Sequence, residues 1–223
     1  MPEETRMQQM SEDFQRMMDE FFSIQCRYSA AMKEVQTKLE ILDAEFQMKH
    51  RRNPIHHIES RLKSIQSIME KLRRKQFSVS MHSATENLTD IAGIRVICSY
   101  VQDVYTIAHL LTSQDDVHLR EMRDYIRHPK ANGYRSLHLI VEIPVFLQEG
   151  RMVIPVEVQI RTIAMDFWAT LEHSLRYKAV DEVPESISLE LQQTAEDIAA
   201  IDQRMQSIHD RVDALSSKAK DSA

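Results

Sequence analysis

Two acidic side chains lie in strand-like surroundings that suit phosphoryl-type chemistry. Asp90 leads into the apolar run Ile91-Ala92-Gly93-Ile94-Arg95-Val96, and Glu157 lies within Val156-Glu157-Val158-Gln159-Ile160-Arg161-Thr162. Between them, the stretch from Arg123 to Ser136 carries Arg127, Lys130, Tyr134 and Arg135. Carboxylates held on rigid strands beside clustered cations can grip a magnesium nucleotide and move a phosphoryl-type group. Plainer readings stay open for each residue alone. Asp90 can simply start its strand after Thr89, and Glu157 can pair with Arg161 on a solvated sheet face.

Alternation sharpens the Glu157 segment. Ile154, Val156, Val158 and Ile160 point one way, and Glu157, Gln159 and Arg161 the other. An acid, an amide and a guanidinium in a row can bind metal, ribose and phosphate. Arg95, set among Ile94, Val96 and Ile97, needs an anion or a flat ring such as adenine to stack on. Read as a helix, residues 61–75 bring Lys63, Ser67, Lys71 and Arg74 to one side, opposite an apolar stripe. A hydroxyl among cations fits a triphosphate; a solvated basic face is the alternative. Arg61 falls off that side, so it either precedes the helix or reaches the site from elsewhere. Tyr134 offers a ring for base stacking, and Lys130, Arg127 and Arg135 offer phosphate contacts. An ordinary charged hairpin loop would look similar. The histidines show no metal-ligand spacing, so no zinc site is expected. His209-Asp210 is read as surface.

The surrounding elements are legible in outline. Ile24, Tyr28, Ala31, Val35, Leu39, Leu42 and Phe46 recur at helical spacing, so the first fifty residues read as helix up to Asn53-Pro54. Ile55, Ile58, Leu62, Ile65, Met69 and Leu72 read as a second helix, and 76–89 as a polar loop. Strand-like runs cover about 91–99, 117–127, 135–143 and 152–161, with a helix at 101–113 after the first and another at 162–178 after the last. The tail is periodic through Leu191, Ile198, Ile201, Met205, Ile208, Val212 and Leu215, a stripe that must pack on the core or on another subunit. The fold class is α+β (mixed α/β), a small mixed or antiparallel sheet of about five strands with flanking helices. Only three glycines occur; Gly150 marks a hairpin turn, while Gly93 and Gly133 mark a bulge, a turn or a close approach to ligand.

Composition sets outer bounds. The 223 residues are 43% hydrophobic, enough for a real core, and carry a formal charge of −6. Bulk charge therefore recruits no polyanion, and any such site must be a local patch. Cys26 and Cys98 lie far apart and read as reduced thiols, which fits a cytoplasmic setting. The start Met1-Pro2-Glu3-Glu4 lacks a basic segment followed by an apolar one, so no secretory signal is expected. No apolar run is long enough for a bilayer, so no membrane partner is expected.

In combination these segments resemble the small alarmone synthetases of the RelA/SpoT homologue family. The resemblance runs in unbroken order through Arg61-x-Lys63-x-x-x-Ser67-x-x-x-Lys71, Thr89 to Arg95, Gly133 to His138, Glu157 to Thr162 and Phe167 to His173. It implies a nucleotidyltransferase-like synthetase domain that moves the β,γ-pyrophosphoryl group of ATP to the ribose 3′-hydroxyl of GDP or GTP, with Mg²⁺. It implies that Arg61 and Arg95 stack on adenine, that Lys63, Ser67, Lys71 and Arg74 hold the triphosphate, and that Asp90 binds magnesium. Glu157 would assist the metal and deprotonate or orient the hydroxyl. Tyr134 would stack on guanine and Lys130 would hold acceptor phosphate, with Arg135, Gln159, Arg161 and Glu172 nearby. Asp166 stands where many relatives carry asparagine, which bears on base selection.

The resemblance also implies a helical extension at 1–52, a catalytic domain at 53–180 and a C-terminal amphipathic helix at 181–223. At this size neither a hydrolase domain nor a ribosome-sensing region is expected. Homo-oligomers, tetramers among them, and binding of single-stranded RNA or an allosteric alarmone are family possibilities. Competing readings are the same chemistry on adenosine nucleotides or the tRNA 3′ end, and a non-catalytic RNA-binding oligomer.

Overall fold

The computed structural model describes residues 3–178 and 184–221; the expected boundary at 180/181 and the start at Met1-Pro2 lie outside them. Helix α1 (Glu3–His50) is followed by β1 (Ile55–Leu62), α2 (Ile65–Arg74), α3 (Met81–Asn87), β2 (Ala92–Cys98) and α4 (Val101–Thr112). Then come β3 (His118–Asp124), β4 (Leu137–Leu147), β5 (Gly150–Thr162), α5 (Ile163–Lys178) and α6 (Glu185–Asp221). The five strands form one sheet in the order β1-β2-β5-β4-β3. Only β2 and β5 run parallel, so the sheet is mixed.

One face of the sheet is apolar across β2, β4 and β5. Ile94 and Val96 of β2, Leu139 and Val141 of β4, and Val156, Val158 and Ile160 of β5 are buried there. The expected stripe of α1 (Ile24, Tyr28, Ala31, Val35, Leu39) and Val104, Ile107 and Leu111 of α4 join them in one cluster. Burying that area drives assembly, and it leaves the alternate positions of β2, β4 and β5 on the opposite face.

Two sequence expectations fail in the segment before β2. Residues 55–72 are not one helix. Ile58 and Leu62, four apart, satisfy a helical stripe and alternate strand positions equally well. Pairing with β2 decides for a strand, in which Ile58, Ser60 and Leu62 are half-buried and Glu59 and Arg61 exposed. The helix starts only at Ile65, where the Ser64 hydroxyl accepts from Ser67 N–H at 3.3 Å. Arg61 therefore precedes the helix. Nor is 76–89 a plain loop: Ser80 caps α3 by accepting from Ser83 N–H, and the helix buries Met81 and Ala84.

The tail stripe divides. Leu191 and Ile198 pack inward around buried Ala195, whereas Ile201, Met205, Ile208 and Leu215 are exposed. His209, expected at the surface, stacks on Tyr100 with 4.2 Å between ring centroids, and only 14% of its side chain is exposed.

The glycines separate into two kinds. Gly150 (φ +109) turns the β4–β5 hairpin, and Gly133 (φ +90) closes a turn by donating to Lys130 O at 2.8 Å. Gly93 sits in regular register with Arg61 and Glu157, so it is not a bulge. A methyl at Gly133 would lie 2.6 Å from the Ala195 methyl on a left-handed backbone. Gly133→Ala is expected to destabilise the fold by about 1–3 kcal/mol. A urea midpoint equal to that of the parent protein would contradict this.

Candidate active site

Strand register builds the site. Arg61, Gly93 and Glu157 are neighbours across β1, β2 and β5, and Glu59, Arg95, Gln159 and His138 form the next row across β1, β2, β5 and β4. These rows lie on the polar face. With Lys63, Asp90 and Ile94 the first row and most of the second line a cavity of about 300 Å³. Neither acid is therefore just a surface group: Asp90, which leads into β2, and Glu157, in mid-β5, open into the same space.

Asp90 is surrounded by cations. Lys63, just past β1, and Lys71, on the inner side of α2, both donate to its Oδ2, Lys71 at 2.5 Å. Burial pushes the carboxyl pKa up, but the two ammonium groups outweigh it and hold the value below the usual aspartate range. Its Oδ1 is buried without a hydrogen-bond partner. Glu157 shows the same balance. Burial and the charge of Asp90 raise its pKa, while His138 and Gln159 lower it further than these raise it. Both groups are thus carboxylates at neutral pH.

The pair fits a hard divalent cation. A cation held by both acids would satisfy the unpartnered Asp90 oxygen and offset the charge that each acid places on the other. Among the described residues no group of three or more His, Cys, Asp or Glu could hold a metal. Such a donor set suits an ion that completes its shell with substrate phosphate and water rather than a closed protein cage.

A second network adjoins it. Buried Arg161 donates to Tyr134 Oη at 2.6 Å, Gln159 Oε1 at 2.8 Å and Asp166 Oδ1 at 3.1 Å. Tyr134 Oη, which accepts from Arg161, also hydrogen-bonds His138 Nε2 at 2.8 Å. The other ring nitrogen, His138 Nδ1, lies 3.6 Å from Glu157 Oε1. Gln159 is oriented in the same way, with its oxygen toward Arg161 and its amide donating to Glu157 Oε2 at 2.9 Å. Lys130 sits over the rings of both Tyr125 and Tyr134, 4.7 and 4.8 Å from the centroids. Asp166 also lies 3.6 Å from Arg95, linking the two halves.

Most candidate residues meet here, though not all in one way. Arg61, Lys63, Asp90, Arg95, Glu157 and Gln159 line the cavity, and Lys71 joins through Asp90. Tyr134, Arg161 and Lys130 form the adjoining network. Glu172 is buried in α5 and accepts from Asn132 of the loop at 3.1 Å. Ser67 bonds Ser64 beside the lysines. Arg74 lies exposed one turn beyond Lys71 and does not line the cavity. The Arg135 guanidinium turns toward α6, donating to Ala195 O at 3.1 Å. Sequence reasoning did not single out His138 or Glu59, which the register adds.

Comparison with known proteins places this arrangement. The family described as "Region found in RelA / SpoT proteins" matches residues 60–182. Over 202 residues the chain is 41% identical to the GTP pyrophosphokinase YwaC of Bacillus subtilis, covering 91% of this chain and 96% of that one. It is 38% identical to the GTP pyrophosphokinase YjbM of the same organism, over 83% and 86% of the two chains. The crystal structure of small alarmone synthetase 1 from B. subtilis bound to its product pppGpp superposes with a TM-score of 0.79 at 36% identity, covering 86% of this chain and 97% of that one.

Proposed function

The chain belongs to the RelA/SpoT family, and from that premise we propose that it is a GTP pyrophosphokinase of the small alarmone synthetase kind. It transfers the β,γ-pyrophosphoryl group of ATP to the ribose 3′-hydroxyl of GDP or GTP. The 3′-oxygen bonds to the β-phosphorus, the bond from that phosphorus to the α,β-bridging oxygen breaks, and AMP leaves. The product is ppGpp or pppGpp. The observation that carries this reading is the shared cavity, which two ionised carboxylates from separate segments line, one of them bonded to Lys63 and Lys71.

ATP lies along the β1–α2–β2 side. Arg61 and Arg95 flank the adenine, and Lys63, Ser67, Lys71 and Arg74 meet the triphosphate. Lys63 and Lys71 are held by Asp90 in the free protein, so nucleotide binding exchanges one anionic partner for another and keeps them oriented. Asp90 and Glu157 would hold Mg²⁺, which offsets the charge of the transferring group. Glu157 then orients the 3′-hydroxyl and takes its proton as the new P–O bond forms. His138 and Gln159 keep the carboxylate in place. Bringing the two anionic nucleotides together in line is the larger task, and oriented reactants gain up to about 7–11 kcal/mol.

The acceptor takes the β4–α5 side. Its guanine stacks on Tyr134, and Lys130, now over that ring, moves onto the acceptor phosphates. Arg135, Gln159, Arg161 and Glu172 complete the surroundings. The catalytic unit is 53–180 in this proposal, with 1–52 and 181–223 as helical flanks. Among the described residues no helix is long and apolar enough to cross a membrane. The free thiols Cys26 and Cys98 fit a cytoplasmic enzyme. The exposed apolar residues of α1 and α6, such as Phe22, Ile41 and Ile201, are the surface on which a homo-oligomer would form.

The test is direct. With γ-labelled ATP and Mg²⁺, label should move to GDP and GTP and not to ADP or tRNA; label on tRNA alone rejects the assignment. In the same assay Tyr134→Ala is expected to raise the acceptor KM by about tenfold or more, from the loss of one stacked base, while the ATP KM stays put. A defect confined to ATP would contradict the placement of Tyr134.

A further inference from the structure

The loop that carries Lys130 and Tyr134 is fastened on its outer side by α6. Arg135 Nη1 donates to both Gly133 O and Ala195 O at 3.1 Å, tying the loop to itself and to a helix carbonyl 60 residues on. Gly133 lies against Ala195 with no room for a side chain between them. Trp168 of α5 donates to Leu191 O at 3.0 Å, one turn earlier on the same helix. Trp168, Ala169 and Ala195 form a small buried cluster apart from the main core, and the Tyr134 ring packs against it together with Leu191 and Ile198. Further along, Asp202 accepts from Thr162 at 2.5 Å in a buried contact at the end of β5.

We infer that the Leu191–Ala195 turn of α6 is a strap that holds the acceptor loop in its binding shape, and that Arg135 is the positioning residue that fastens it. This rests on the reading above that the loop receives the acceptor nucleotide. A short loop bearing a glycine and an exposed lysine loses conformational entropy when it orders around a ligand. If the strap orders it during folding, that loss no longer weakens binding. The Lys63–Lys71–Asp90 cluster is built from other elements, so loosening the strap should weaken the acceptor and spare ATP.

The test uses the full chain with Ala195→Val, Arg135→Ala and Arg135→Lys, reading the KM for each nucleotide and hydrogen exchange of residues 128–136. Ala195→Val and Arg135→Ala should each raise the acceptor KM about tenfold, the scale of one charge-assisted hydrogen bond. The ATP KM should stay within about twofold, and loop exchange should speed up by about tenfold on the same scale. Arg135→Lys, which keeps a donor, should fall between. Ala195→Val removes no charge, so its agreement with Arg135→Ala separates a strap from a direct phosphate contact. An acceptor defect in Arg135→Ala alone, unchanged loop exchange in both variants, or an equal rise in both KM values overturns the inference. If Ala195→Val does not unfold cooperatively, Trp168→Phe, which removes the bond to Leu191 O and thins the buried cluster against the same turn, takes its place with the same expectations. If the parent protein moves no label to a guanosine nucleotide, the functional reading falls, and loop exchange by itself still decides the strap.

Discussion

Glu157→Gln is expected to lower kcat by about 10²–10⁴-fold, the usual worth of a positioned proton acceptor, with nucleotide dissociation constants almost unmoved. The substitution keeps the side chain's size, removes its charge and sets an amide NH₂ opposite His138 Nδ1. Gln159 already offers its amide to position 157, because its oxygen is bound by Arg161. A glutamine carbonyl can accept that bond without disturbing the chain to Arg161. What disappears is the anion that, in the proposed mechanism, would take the proton and share a cation with Asp90. Equilibrium titration with ATP analogue and GDP, beside single-turnover rates, separates the two effects. Near-normal turnover in this variant would remove Glu157 from the chemistry.

Asp90→Asn is expected to cut turnover by at least about a hundredfold, more than the loss of a supporting metal contact usually costs, and to raise the Mg²⁺ concentration needed for half-maximal rate. It also leaves the Lys63 and Lys71 ammonium groups beside each other without their shared anion. Metal-free nucleotide should therefore bind at least as well as before, even as turnover falls. A variant whose Mg²⁺ dependence matches the parent protein would contradict this. The same cluster sets an acid limit in the parent protein. Asp90 and Glu157 both have folded-state pKa values below their ordinary values of 3.8 and 4.5. Their contribution to stability is then fully present above those ordinary values and is lost as pH falls through the lower folded ones. The unfolding midpoint should hold from neutral down to about pH 5 and decline below about pH 4.

The residues of the site were far easier to read than the way they meet. Alternation along β5 put Glu157, Gln159 and Arg161 on one face, and the structure agrees. The parting of Arg61 from the α2 lysines was legible as a conflict of helical phase. Its resolution into strand and capped helix was not, because Ile58 and Leu62 fit both periods and only pairing with β2 distinguishes them. His138 was reachable in principle. The hairpin pairs Leu147 with Gly150, and an unbroken register counted back from that turn sets His138 opposite Gln159. That count assumes no bulge across the hairpin, which local pattern cannot guarantee. Arg135 was legible as a cation in the loop between β3 and β4, but its direction was not. Nothing local says that a helix 60 residues later offers Ala195 O.

From the amino-acid order alone came the α+β class, the amphipathic first helix, the candidate acids and the family resemblance, all of which depend on residue type and short-range spacing. Tertiary structure alone decided that Asp90 and Glu157 line one cavity, that Lys63 and Lys71 converge on Asp90, and that α6 lies against the loop carrying Lys130 and Tyr134. The physical reason is that side-chain period is a local property of the backbone. Which strands become neighbours, and in which register, is settled only when the apolar faces of β2, β4 and β5 are buried together against α1 and α4.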